Sequence, residues 1–193
     1  MLFQKSKMER LIRLSQRKSE TVKTGFKRFL YNEIDWDQPL TMIKGFRGTG
    51  KTTLLLQRLR ELKEKAIYLS LDDIYFETYR LVRLVDILYE KGYRFFFLDE
   101  VHRYQYWSKD LKNIFDSYPD VKLVATGSSI LEISKGYADL SRRAVSYYLP
   151  GLSFREFIEL QYQQRFSILT LDTILKQHNV ITDHYTDIVH IDK

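Results

Sequence analysis

The stretch that most constrains this chain is Gly45-Phe46-Arg47-Gly48-Thr49-Gly50-Lys51-Thr52, which satisfies GxxxxGK[ST] and lies between an apolar run and a helix-periodic one. Glycines at 45, 48 and 50 let the backbone wrap close to a polyphosphate with its amide hydrogens pointing inward. A helix opening at Lys51 adds its unpaired N-terminal N–H groups and the positive end of its dipole. Lys51 would neutralise the β- and γ-phosphates, and the Thr52 hydroxyl is a fitting ligand for Mg²⁺. The expected nucleotide contacts run over Gly45, Arg47, Gly48, Thr49, Gly50, Lys51, Thr52 and Thr53. A loop of this kind requires a strand before it and a helix after it.

The flanks supply that context. Leu40 to Lys44 reads as a strand, and KTTLLLQRLRELKEK from Lys51 sets Leu55, Leu59 and Leu62 on one helical face, with Arg60–Glu64 and Glu61–Lys65 at i,i+4 spacing. Further strands are expected at Ala66 to Leu71, Arg94 to Leu98, Val121 to Thr126 and Ala144 to Leu149. Helices are expected from Leu81 (with Leu84, Val85 and Leu88 on its face) to a stop at Gly92, and at Trp107 to Tyr118, Ile130 to Leu140, Ser153 to Gln161 (with Ser153 and Glu156 as a capping box) and Leu171 to Asn179. Strands alternating with helices give an α/β fold with a mostly parallel sheet covered on both faces.

Phe95-Phe96-Phe97-Leu98-Asp99-Glu100 is a buried strand ending in two carboxylates. Phosphoryl transfer needs an aspartate at a strand end to hold the metal, and hydrolysis needs a group that positions and deprotonates water. Asp99 suits the first task and Glu100 the second. Thr126-Gly127-Ser128-Ser129 ends the next strand, at the sheet edge where open α/β folds bind ligands, and makes Thr126 and Ser128 candidates for the γ-phosphate or the attacking water. Arg142 and Arg143 precede the fifth strand, and an arginine there could reach a neighbouring subunit's phosphate. His178, His184 and His190 lack the spacing of a helical zinc pair, and His102 is read as a bystander.

Composition narrows the rest. The 193 residues suffice for one domain, and no cysteine means no disulfide framework, thiolate-zinc site or cysteine nucleophile. The net charge of +6 is uneven: Met1 to Arg28 holds nine Lys and Arg against Glu9 and Glu20, a net +7, and the remaining 165 residues are nearly neutral. That segment, read as two short amphipathic helices (Met8, Leu11 and Ile12, then Val22, Phe26, Phe29 and Leu30), could meet nucleic acid or a protein partner. No apolar run is long enough to span a bilayer and no signal peptide is expected, so a soluble, cytoplasmic protein without a membrane partner is the expectation.

The segment FLDEVHRYQYWSKDLKNIFDSYPDVKLVATGSS, together with the phosphate loop, YLSLDD and LPGLSFREF, closely resembles the prokaryotic AAA+ superfamily ATPases that pair an AAA-type domain with a C-terminal nuclease-like domain of unknown function. The resemblance implies a three-layer P-loop NTPase sandwich with strand order 5-1-4-3-2, ATP and Mg²⁺ as ligands, ATP hydrolysis, and action as a homo-oligomer. It places Lys51 and Thr52 at the Walker A positions, Asp99 and Glu100 at Walker B, Thr126 and Ser128 in the sensor region, and Arg143 at the arginine of a Gly-Arg pair whose glycine is here Arg142. The match covers about Leu30 to Leu160 and, set beside the charge count, divides the chain into a basic helical segment 1–30, an ATPase core 31–162 and a helical tail 163–193, after which the family's C-terminal domain is expected. A nucleotide-gated interaction module with little turnover and a DNA-associated motor are the alternatives.

Overall fold

The computed structural model describes residues 2–62, 65–128, 140, 142–163 and 169–177. Five parallel strands form one sheet: β1 (Leu40–Lys44), β2 (Ala66–Ser70), β3 (Phe95–Asp99), β4 (Lys122–Gly127) and β5 (Val145–Tyr148). Their order is β2-β3-β4-β1-β5, which reads 5-1-4-3-2 from the opposite edge. The helices are α1 (Leu2–Thr21), α2 (Leu30–Glu33), α3 (Lys51–Glu61), α4 (Tyr75–Thr78), α5 (Leu81–Glu90), α6 (Trp107–Ser117) and α7 (Phe154–Tyr162), with a 3₁₀ turn at Val101–Arg103.

Side-chain alternation divides the core between the two faces of the sheet. Met42, Leu69, Phe96, Leu98 and Leu123 face α5 and α6, packing on Leu84, Leu88, Leu111 and Ile114. Ile43, Tyr68, Phe97 and Val124 face α3, packing on Leu54, Leu55 and Leu59. Helices on both faces explain why the central strands read as unbroken apolar runs. Register aligns the functional ends: Lys44 lies opposite Gly127, Ile43 opposite Thr126, and Ser70 opposite Asp99. The loop after β1, the acids after β3 and the hydroxyls after β4 therefore meet at one edge.

The N-terminal segment departs from expectation. It forms one 20-residue helix, then an irregular stretch, then the single turn α2. Side chains of α3 explain the irregular stretch by taking backbone carbonyls that a second helix would have used. Arg60 donates to the carbonyls of Glu20 and Val22, and Gln57 to those of Lys23 and Phe26 at 2.8 and 2.7 Å. Nor does the basic segment stand free. Met8 and Leu11 are part of the main core, Arg10 pairs with Asp73, and Lys27 with Glu61. Glu61, which also accepts from Tyr31, thereby has partners other than Lys65, because α3 stops before the helical spacing reaches that residue. The helix expected over 130–140 and the three C-terminal histidines lie outside the described residues, whereas 171–177 is helical. Among the described residues no helix is long and apolar enough to cross a membrane.

Candidate functional site

The loop after β1 curls back over the N-terminus of α3. Gly50 is the N-cap residue, with φ 95°, a left-handed conformation that a side chain would strain. Gly45 is constrained differently: a Cβ there would lie 2.4 Å from the Leu149 carbonyl oxygen, so the loop can pass β5 only with glycine. Lys51 is buried and donates to the carbonyls of Gly45 and Phe46 at 2.9 and 2.8 Å. Burial pulls its ammonium below its ordinary value, opposed by the nearby carboxylates of Glu100 and Asp99. Arg47 and Thr53 are exposed, one on the loop and one on the first turn of α3.

Asp99 is buried and organised by three hydroxyls. Thr52 donates to its Oδ2 at 2.6 Å, Tyr68 to the same oxygen at 2.7 Å, and Thr126 to its Oδ1. Two hard oxygen donors, Thr52 Oγ1 and Asp99 Oδ2, thus sit together beside the phosphate loop, a donor set that fits Mg²⁺ with phosphate and water completing its shell.

Glu100 has φ 54° and ψ 43°, the left-handed region, which for a non-glycine residue costs on the order of 1–3 kcal/mol and persists only where surroundings impose it. Its backbone N–H faces Thr126 Oγ1 at 3.4 Å, and Ser128 Oγ donates to its Oε2 at 3.1 Å. The bend turns the carboxylate back toward the end of β4. His102, expected to stand aside, does not: its Nε2 lies 3.3 Å from Glu100 Oε2 and 3.4 Å from Ser128 Oγ, while its buried Nδ1 has no hydrogen-bond partner among the described residues. The structure therefore joins Lys51, Thr52, Asp99, Glu100, Thr126 and Ser128 in one constellation and adds Tyr68 and His102.

Arg143 lies elsewhere. Its guanidinium engages Asp116 through Nε at 3.0 Å and Nη2 at 3.3 Å, so delivery to a neighbouring subunit would require it to leave that carboxylate.

A residue not singled out by the sequence closes the back of the loop. Arg28, 6% exposed, donates from Nε to Glu156 at 2.7 Å, from Nη1 to the carbonyl of Thr49, and from Nη2 to the carbonyls of Pro150 and Gly151 at 2.9 Å each. Glu156 also completes the capping box of α7 with Ser153 and accepts the Phe29 N–H at 3.0 Å. One ion pair thus ties residues before β1, the phosphate loop and α7 together. Beside it lies a cleft of about 1140 Å³, lined by Val22, Phe26, Gly48, Thr53, Leu152 and Leu160 among others. The capping box was visible in the sequence, whereas its long-range arginine had no local signal.

Known proteins share the sequence family and the fold. Residues 37–158 match a family described as AAA domain. The uncharacterized protein MJ1637 of Methanocaldococcus jannaschii is 31% identical over 156 residues, covering 72% of this chain and 32% of that protein. The chain thus spans about a third of the length of this curated relative. Among solved structures, the Walker-type ATPase PABY2304 of Pyrococcus abyssi superposes with a TM-score of 0.55 at 15% identity, covering 72% of this chain and 57% of that one, a likeness of fold.

Proposed function

The chain belongs to the AAA domain family, and from that premise we propose that it binds ATP with Mg²⁺ and hydrolyses the β–γ phosphoanhydride bond. The meeting of Thr52, Asp99, Glu100, Thr126 and Ser128 beside the phosphate loop carries this reading. Loop amides and the N-terminus of α3 bind the phosphates, with Lys51 as their counter-charge. Thr52 and Asp99 would hold Mg²⁺, which when bound neutralises charge on the phosphates. Glu100 takes the proton of the attacking water, and Thr126 and Ser128 orient that carboxylate and its approach. The cleft between residues 22–28, the loop and α7 suits the nucleoside, offering apolar walls next to the phosphate site.

On this reading 31–162 is the motor core, 1–30 a segment integrated with it, and 163–193 the lead toward a nuclease-like domain. Oligomeric action would bring Arg143 to a neighbour's nucleotide after exchange from Asp116. Pairing of Arg10, Lys27 and Arg28 within the fold weakens the case for the basic segment as a nucleic-acid footprint.

The test measures ATP affinity and phosphate release together, with and without Mg²⁺, alongside particle size. Binding with Mg²⁺-dependent release is expected. Tight binding without release would instead make the chain a nucleotide-gated module, and no binding at all would end the nucleotide reading.

A further inference from the structure

Of the three hydroxyls on Asp99, two belong to the motifs that define the site. The third, Tyr68, comes from the middle of β2, an edge strand apart from the phosphate loop, the acidic strand end and the hydroxyls of β4. Its phenol is buried and donates to Asp99 Oδ2 at 2.7 Å.

The other side of Tyr68 is held by α1. Ser15 Oγ accepts the Tyr68 backbone N–H at 2.9 Å, on the edge of β2 that has no neighbouring strand among the described residues. Lys18 Nζ lies 3.4 Å from the phenolic oxygen and 4.6 Å from the ring centroid. A polar chain thus runs from Lys18 through Tyr68 to Asp99 Oδ2, each donor polarising the next.

We propose that Tyr68 is a positioning residue for Asp99, and that through it α1 sets how firmly the chain holds its divalent cation. This rests on the reading that Asp99 holds the metal. Thr52 shares Oδ2 with Tyr68, and once its hydroxyl turns toward a cation, Tyr68 and Thr126 remain as one fixed donor to each carboxylate oxygen. A carboxylate gripped at both oxygens cannot rotate, so its geometry is set before the metal arrives. Displacing α1 removes Ser15 and Lys18 from Tyr68 together.

The probe is Mn²⁺, titrated into the ADP-bound chain with free Mn²⁺ read by electron paramagnetic resonance. Tyr68→Phe keeps the ring in its core position and removes only the hydroxyl. It is expected to weaken Mn²⁺ binding about tenfold or more, the scale of one hydrogen bond to a charged group, with metal-free ADP affinity within about twofold of the parent. Lys18→Met should weaken Mn²⁺ in the same direction by less, and add nothing when combined with Tyr68→Phe. Parental Mn²⁺ affinity in Tyr68→Phe would reduce Tyr68 to a core residue and overturn the proposal. A Lys18→Met effect that adds in full to Tyr68→Phe would overturn its route through Tyr68. Asp99→Asn separates the two levels: unchanged Mn²⁺ binding there would fail the reading of Asp99 itself.

Discussion

On the proposed mechanism, Glu100→Gln is expected to retain ATP binding and to lose turnover by roughly 10²- to 10⁴-fold, the usual worth of a general base. The amide fills the same volume and keeps an oxygen to accept from Ser128 Oγ, so the shape of the site survives. What it cannot do is take a proton from water. Lys51→Ala is expected to show the converse pattern. It removes the buried cation at the phosphate loop, so nucleotide binding itself should be lost. Calorimetric titration with ATP and phosphate release distinguish the two variants. Ordinary turnover in Glu100→Gln would place the base elsewhere, and His102, 3.3 Å from the Glu100 carboxylate, would be the first group to examine.

Arg28→Ala is expected to unfold more easily by about 3–5 kcal/mol, because it strands Glu156 as a buried charge without its cation. Against a total stability on the order of 5–15 kcal/mol, that brings the chain close to its folding limit. Replacing both partners, as Arg28→Met with Glu156→Leu, should recover only part of the loss: no charge is left unpaired, but the carbonyls of Thr49, Pro150 and Gly151 and the N–H groups of Ser153 and Phe29 lose their partners. The pair also gives an acid limb to stability. Burial works to raise the Glu156 carboxyl, but Arg28 and the N–H groups of Ser153 and Phe29 outweigh it and hold it below its ordinary 4.5. A carboxylate lowered in the folded state stabilises above the unfolded value and loses that stabilisation as pH falls through the folded one. Urea midpoints should therefore drop below about pH 4.5 in the parent, and this drop should flatten in Arg28→Ala. A loss under about 1 kcal/mol, typical of exposed pairs, would show that Arg28 does not clamp the loop.

The phosphate loop and the five strands were legible because each rests on local requirements. The glycines at 45 and 50 answer a backbone approach and a left-handed φ, and β3 is apolar because both its faces are covered. Register then placed Thr126 and Ser128 by Asp99 and Glu100, as the strand-end pattern implied. What escaped was long-range. Tyr68 reads as one more strand aromatic, and its hydroxyl acquires meaning only because β2 lies beside β3. Arg28 reads as one of nine N-terminal bases until Glu156, 128 positions away, is folded against it. His102 reads as a bystander three residues after Asp99, yet the 3₁₀ turn after the left-handed Glu100 folds it back onto that carboxylate. The end of the N-terminal helix is decided by Arg60 and Gln57 of α3, which no N-terminal pattern records.

The position of α1 along β2 has a consequence for solubility. An uncovered outer strand offers unpaired N–H and C=O groups to any passing chain, and proteins that leave one bare tend to stack edge to edge. Ser15 takes one of these groups on β2, whereas β5 at the opposite margin stays short and largely exposed. A chain trimmed to the family match, starting at residue 37, would lose this cover and open a second margin to association. The expected result of such trimming is a sticky, sheet-growing fragment, so the smallest unit that remains monodisperse is longer than the smallest unit that is recognisable.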